Sequence, residues 1–126
     1  LSAFGSPEWF AEASAAAGSV GQAGAACLDA VVQYTVKGAP QGILRCHAVV
    51  ADGKVTVLAE GMAAADPDIA VTIDFDTAHD IVSGVHSAEA AFMNGALRLE
   101  GRHALWLADL HDLRAAVLEA LAAITD

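Results

Sequence analysis

The side chains in this sequence that could take part in chemistry are few and dispersed: five histidines, two cysteines and scattered serines and carboxylates. Asp76, His79 and Asp80 fall at a predicted helix start, a set that could in principle ligate a metal. No two of His47, His79, His86, His103 and His111 stand at the three- or four-residue spacing of a zinc-binding helix; His103 and His111 are eight apart. The histidines therefore read as solvated or capping groups. Ser83-Gly84 and Ser87 lack the Gly-x-Ser-x-Gly frame that exposes a nucleophile on a strained turn. The glycines from Gly18 to Gly24 lack the Gly-Lys-Ser/Thr ending of a phosphate loop. Cys27 and Cys46 sit in separate apolar segments without CxxC spacing and read as two buried thiols in a reducing compartment. Asp109 and Asp112 belong to the solvated side of a helix. No acid/base pair, metal site or cofactor site emerges, so the sequence predicts a non-enzymatic protein.

Charge narrows the partners. The net charge is -10, and Lys37, Arg45, Lys54, Arg98, Arg102 and Arg114 form no basic run. A nucleic-acid backbone would be repelled, and so would an anionic membrane surface. No apolar run reaches the roughly 18 to 20 residues that cross a bilayer. The first residues lack the basic head and apolar block of a secretory signal. The sequence thus reads as a cytoplasmic protein with no nucleic-acid partner and no stable membrane anchoring.

The elements that must position these residues follow from local rules. A chain of 126 residues fits a single domain, 1–126. Hydrophobic residues reach 56% but aromatics only 6%, which predicts an aliphatic, small-residue interior. Ser6-Pro7-Glu8 reads as a capped helix start, with Trp9, Phe10, Ala13 and Ala17 on one face and Gly18 at the end. A Gly/Ala/Ser connection, Gly18 to Gly24, follows. Cys27 to Lys37 and Gly42 to Ala51 read as strands. In the second, Leu44, Cys46, Ala48 and Val50 share one face. Asp52-Gly53 is a hairpin turn, and Lys54 to Glu60 is the returning strand.

A linker, Gly61 to Asp68, leads to the alternating strand Ile69 to Phe75, with Ile69, Val71, Ile73 and Phe75 inward. Asp76 or Thr77 is the predicted cap of a short helix carrying Ala78, Ile81, Val82 and Val85. Ser87 caps a second, Ala88 to Asn94, with Ala91, Phe92 and Met93. Ala96 to Glu100 is the last strand, with Leu97 and Leu99 inward. Trp106, Leu110, Leu113, Val117, Leu121 and Ile124 then make one stripe along a helix from His103 to Ile124. This order predicts an α+β fold: a five-stranded, mostly antiparallel sheet covered on one face by helices.

The block Ile69-Ala-Val-Thr-Ile-Asp-Phe-Asp, the short helix after it, and Ala91-Phe-Met-Asn-Gly-Ala-Leu-Arg-Leu-Glu-Gly101 resemble the sterol carrier protein family. There a Phe-x-x-Gly turn starts a strand of alternating residues closed by glycine, and Phe92, Gly95, Leu97, Leu99 and Gly101 match it. Ala96 and Arg102 depart from the usual lysine and Asp or Asn, and the acidic balance departs from the basic character of familiar carriers. The resemblance implies an apolar tunnel beneath the helices that takes a fatty acyl chain, a sterol-like lipid or another apolar small molecule. The residues it singles out for lipid binding are Phe75, Ile81, Val82, Val85, Phe92, Met93, Leu97, Trp106, Leu110 and Leu113. Each buried methylene contributes about 0.8 kcal/mol, so apolar enclosure alone can hold such a ligand. An alternative reading is an interaction module of the same fold, its tunnel filled by its own side chains, shaping a homodimer or serving a partner enzyme. An enzyme acting on lipid or coenzyme A thioesters is a third reading, opposed by the lack of clustered cations.

Overall fold

The computed structural model describes residues 2–20 and 28–126. The glycine-rich connection therefore lies outside the described residues from Gly21 onward, as does Cys27.

Helix α1, Pro7–Gly18, begins where the sequence places it. The Ser6 hydroxyl accepts the Trp9 backbone N–H at 3.1 Å, and Trp9, Phe10, Ala13 and Ala17 are buried along one side. Strands β1 (Ala30–Ala39), β2 (Gly42–Ala51), β3 (Lys54–Glu60), β4 (Ile69–Asp74) and β5 (Leu97–Gly101) form one sheet in the order β3-β2-β1-β4-β5. All neighbouring pairs are antiparallel except β1 with β4, which run parallel. Between β2 and β3 the turn is made by Asp52 (φ 52°) and Gly53 (φ 75°), both in the left-handed region that a tight hairpin demands.

The parallel pair requires a crossover, supplied by residues 61–68. On the sheet face opposite the helices, Gln33 pairs in register with His47, and both hold this crossover. Gln33 Nε2 donates to Gly61 O (3.3 Å) and Cys46 O (2.9 Å), its Oε1 accepts from Ala63 N (2.8 Å), and His47 Nδ1 donates to Gly61 O (2.9 Å). At the end of the crossover Asp68 accepts the Val31 N–H at 2.8 Å. Gly101 (φ 95°) closes β5 against this corner, where an added Cβ would run into the Asp68 carbonyl oxygen. The last glycine of the family-like block is thus required by close backbone approach.

The main differences from the sequence reading lie at β4, α2 and the C-terminal helix. Strand β4 stops at Asp74, because its carboxylate caps helix α2 (Phe75–Val82) by accepting from the Thr77 N–H and hydroxyl; Asp76 and Thr77 are not the cap. Phe75 therefore opens a helix instead of closing a strand. Helix α3 is Ala88–Met93, capped by Ser87 as predicted. The C-terminal helix is not continuous. A π-helical turn, Leu105–Asp109, precedes helix α4, His111–Ala122. Leu110 N reaches back five residues to Leu105 O (2.8 Å), and the Trp106 carbonyl accepts instead from Arg114 Nε (2.9 Å).

The chain ends meet. Ser2 pairs with Thr125, whose hydroxyl accepts the Trp9 indole N–H at 2.9 Å. Phe4 lies 4.9 Å from the Trp9 ring and 5.1 Å from that of Phe75.

Candidate functional site: an apolar cavity under the sheet

Side chains of β1 at Val32, Tyr34 and Val36 project from the helix-covered face, in register with Ala48, Cys46 and Leu44 of β2. Val71 and Ile73 of β4 continue that face. Alanine and cysteine stand at its centre, and Ala78 faces it from α2, so small side chains leave a gap between sheet and helices. The result is a cavity of about 160 Å³. Folded interiors leave few voids larger than one water, so this is a large departure from close packing. One water-sized body occupies roughly 10–15 Å³ on this measure, so the cavity has room for on the order of ten chain atoms.

Six of the residues singled out from the sequence come together on its wall: Ile81, Val82, Leu97, Trp106, Leu110 and Leu113. The other four do not. Val85 is 75% exposed in the turn between α2 and α3, and Met93 is 85% exposed at the end of α3. Phe75 packs against Phe4, and Phe92 lies beside the His103 ring. The physical reason is the shortness of α2 and α3. α3 buries Ala88 and Ala91, which turns its larger side chains away from the cavity. Sequence reasoning also missed much of the wall. The sheet residues Tyr34, Cys46 and Ala48, and Phe4 and Trp9 from the N-terminal region, all line it.

The lining is apolar apart from one corner. Trp106 is 3% exposed, and its indole N–H has no hydrogen-bond partner among the described residues. Tyr34, next to it, is raised in pKa by burial, partly offset by its closeness to the Trp106 indole and to Arg114. Its phenol stays neutral in the physiological range. The two groups are close enough to influence one another, yet they do not reach hydrogen-bond geometry. The Arg114 guanidinium lies 3.9 Å over the Trp106 ring and is ion-paired with Glu89 at 2.8 Å. Burial raises the Glu89 carboxyl, but the Arg114 contacts outweigh that and leave it below the ordinary value. Burial, and then Glu60, push the Cys46 thiol up to about 12, so it is a protonated, unreactive wall residue.

A second hollow of about 330 Å³ lies outside this corner, where His86, Glu89, His111 and Glu119 stand among alanines and Leu118. It shares Ile81, Ala88, Arg114 and Leu118 with the cavity. The Arg114–Glu89 pair therefore stands at the junction of the apolar chamber and an outer one that carries charged and imidazole side chains.

Two of the histidines hydrogen-bond backbone carbonyls near the chain's C-terminal half. His79 Nε2 donates to the Asp126 carbonyl (2.8 Å) and His103 Nε2 to that of Leu99 (2.8 Å). Among the described residues, no group of three His, Cys, Asp or Glu side chains is placed to hold a metal ion. No helix among them is long and apolar enough to cross a membrane.

Comparison with known proteins places this architecture. The profile of the SCP-2 sterol transfer family matches residues 10–108. A conserved hypothetical protein of Thermus thermophilus superposes with a TM-score of 0.76 at 13% identity, over 96% of this chain and 89% of its own. The crystal structure of a sterol carrier protein 2 gives 0.76 at 13% identity, over 94% of this chain and 97% of its own. Palmitated sterol carrier protein 2-like 2 from Aedes aegypti gives 0.64 at 24%, over 92% and 94%. No curated protein matches the sequence.

Proposed function

Since the chain belongs to the SCP-2 sterol transfer family, we propose that it is a non-catalytic carrier that encloses a fatty acyl, sterol-like or other apolar molecule in the cavity beneath its sheet. The observation that carries this reading is the cavity itself: about 160 Å³ of space walled almost wholly by aliphatic and aromatic side chains. An interior whose only purpose was stability would close such a space, since closing it recovers packing energy. About ten enclosed chain atoms contribute on the order of 8 kcal/mol gross. Association and ordering costs bring this down to a range of micromolar affinity or weaker. A longer molecule extends past Arg114 into the outer hollow, where its polar end meets water.

The wall residues in this reading are Ile81, Val82, Leu97, Trp106, Leu110 and Leu113, joined by Tyr34, Cys46, Ala48 and Trp9. Val85 and Met93 have no part in it, being exposed. The acidic surface favours handing the ligand to another protein or to a neutral surface over docking on anionic membrane. The site of action is assigned to the cytoplasm.

The test is a titration of delipidated, folded protein with an environment-sensitive fluorescent fatty acid, competed by unlabelled fatty acid, sterol and quinone. Saturable one-to-one binding with selective displacement is expected. Absence of saturable binding overturns the carrier reading in favour of an interaction module.

A further inference from the structure

Alternation along the strands puts every second side chain on the sheet face that no helix covers. Tyr34, Cys46, Val71 and Leu97 line the cavity, so Thr35, Arg45, Thr72 and Arg98 lie on the opposite face. Strand pairing aligns these four: Arg45 stands opposite Thr35, Thr35 opposite Thr72, and Thr72 opposite Arg98. One Arg–Thr–Thr–Arg row thus crosses β2, β1, β4 and β5. Three strand spacings of about 4.8 Å put its arginines on the order of 14 Å apart. Both arginines are exposed and both threonines are half-buried.

The row is bordered on both sides. On one side Gln33 and His47 hold the crossover 61–68 over the neighbouring row, and Met62, 65% exposed, belongs to this shoulder. On the other side Lys37 stands in register with Asp74, whose carboxylate is engaged by the Thr77 N–H and hydroxyl. The result is a strip one row wide, with a threonine floor and an arginine at each end.

Charge is divided unequally between the two layers of the molecule. Helices α1, α2 and α3 carry carboxylates and neither Lys nor Arg. The cation of α4, Arg114, is paired with Glu89, and Arg102 faces Asp68 at 3.9 Å. Lys37, Arg45, Lys54 and Arg98 make no ion pair among the described residues. All four lie on strands, at positions of the open face. A chain with a net charge of -10 therefore presents its unpaired cations together on one face.

A short acidic segment of another protein fits this strip. It touches the arginines while the acids of the helices stay a layer away, about 10 Å, where salt screens them. In an extended segment, carboxylates four residues apart are separated by about 13 Å, close to the spacing of the two arginines. A nucleic acid or an anionic bilayer extends far beyond the strip and meets the repulsion of the whole chain. Docking on a bilayer through this face would also turn the cavity, on the other side of the sheet, away from the lipid.

We propose that the Arg45–Thr35–Thr72–Arg98 strip is a docking site for an acidic segment of a partner protein, holding the molecule by its open face and leaving the helical side free. The inference goes beyond the carrier reading and does not depend on it.

The experiment follows the backbone amide signals of the isotope-labelled full chain by NMR at low salt during titration with two peptides of equal composition. One, acetyl-Glu-Thr-Val-Thr-Glu-amide, has its carboxylates four residues apart; the other, acetyl-Thr-Val-Glu-Glu-Thr-amide, has them adjacent. The spaced peptide is expected to bind at least threefold more tightly and to shift the amides of Thr35, Arg45, Thr72 and Arg98. Arg45→Gln and Arg98→Gln should each weaken it about threefold to fivefold, the range of an exposed ion pair. Lys54→Gln, which removes a cation at the far hairpin, should change it by less than twofold. Equal affinity of the two peptides, shifts confined to other surfaces, equal losses in all three variants, or no saturable shift up to 10 mM peptide (roughly the weak limit of such pairs) would overturn the proposal. Tighter binding of a ten-nucleotide single strand or of phosphatidylserine vesicles through the same two arginines would overturn it in favour of that partner. Fluorescent-lipid uptake is measured on the same samples, so failure of the docking site and failure of the carrier reading are told apart.

Discussion

Replacing Ala48 by isoleucine would put three more carbons into the middle of the cavity floor. Ala48 lies on β2 between Val32 of β1 and Leu58 of β3, and all three line the cavity. A β-branched residue suits the strand, so the backbone need not change. Three carbons at about 0.8 kcal/mol each amount to roughly 2.4 kcal/mol gained if they enter existing space. Residual strain against the helices removes on the order of 1 kcal/mol of that. The ligand-free variant should therefore be more stable than the parent protein by about 1–2 kcal/mol, a rise of several degrees in melting temperature. Added ligand should reverse the order. The parent gains about 2.7 kcal/mol at a ligand concentration one hundred times Kd, whereas the variant, with its chamber part-filled, gains little. Thermal melts of both proteins, with and without a bound fatty acid, read the two effects together. A variant that loses ligand-free stability refutes the claim that usable space lies above Ala48. A variant that binds as tightly as its parent refutes the claim that this space is the ligand site.

Leu113→Trp should abolish uptake of a fluorescent lipid in folded protein, because Leu113 is 3% exposed and on the wall; Val85→Trp, at a position 75% exposed, should leave uptake within twofold of the parent. Stability should fall on the alkaline side. Cys46 is held neutral up to about 12 from an ordinary value of 9.0, so unfolding is favoured as pH rises through the lower of these. The loss by pH 10 is about 1.4 kcal/mol, and denaturant titrations of Cys46→Ala between pH 8 and pH 10 should show a shallower fall. Gly101→Ala should cost more than about 2 kcal/mol, since it combines a positive φ with collision against the Asp68 carbonyl; a melt close to that of the parent would mean that the β5 corner yields readily.

Where one local rule acted alone, the sequence was legible. The Ser6-Pro7 start of α1, the Asp52-Gly53 hairpin and the Ser87 cap each depend on chemistry within a few residues, and each is found where expected. At Asp74 two rules competed. As an outward position in the Ile69–Phe75 alternation it looked like a strand residue, but the same exposed carboxylate is free to cap a helix, and capping won. The exposed positions of Val85 and Met93 were hidden for another reason. Helices of eight and six residues, α2 and α3, have too few turns to define a face by periodicity. The extra residue at the π turn leaves the 106, 110, 113 spacing unaltered, so no pattern could reveal it. The sheet side of the cavity was invisible because alternation reports that Tyr34, Cys46 and Ala48 face inward, but not whether protein lies opposite them. One signal was available and unused. Gln33, a lone amide within an apolar strand, marks the face on which the crossover is pinned.

The same placement of residues explains why a cavity survives in a protein this small. The sheet is held from behind by Gln33 and His47, which hydrogen-bond the crossover, by Asp68 of the crossover, which accepts from Val31, and at its end by the Gly101 corner. The helical side is tied through Thr125 to Trp9 and through Arg114 to both Glu89 and the Trp106 carbonyl. None of these tethers depends on contact across the cavity. Each layer therefore keeps its own shape through bonds made within it, without apolar filling between the two. Because Trp9, Trp106 and Arg114 both line the cavity and make these bonds, loss of one of the bonds should loosen the helical wall while the sheet wall keeps its form.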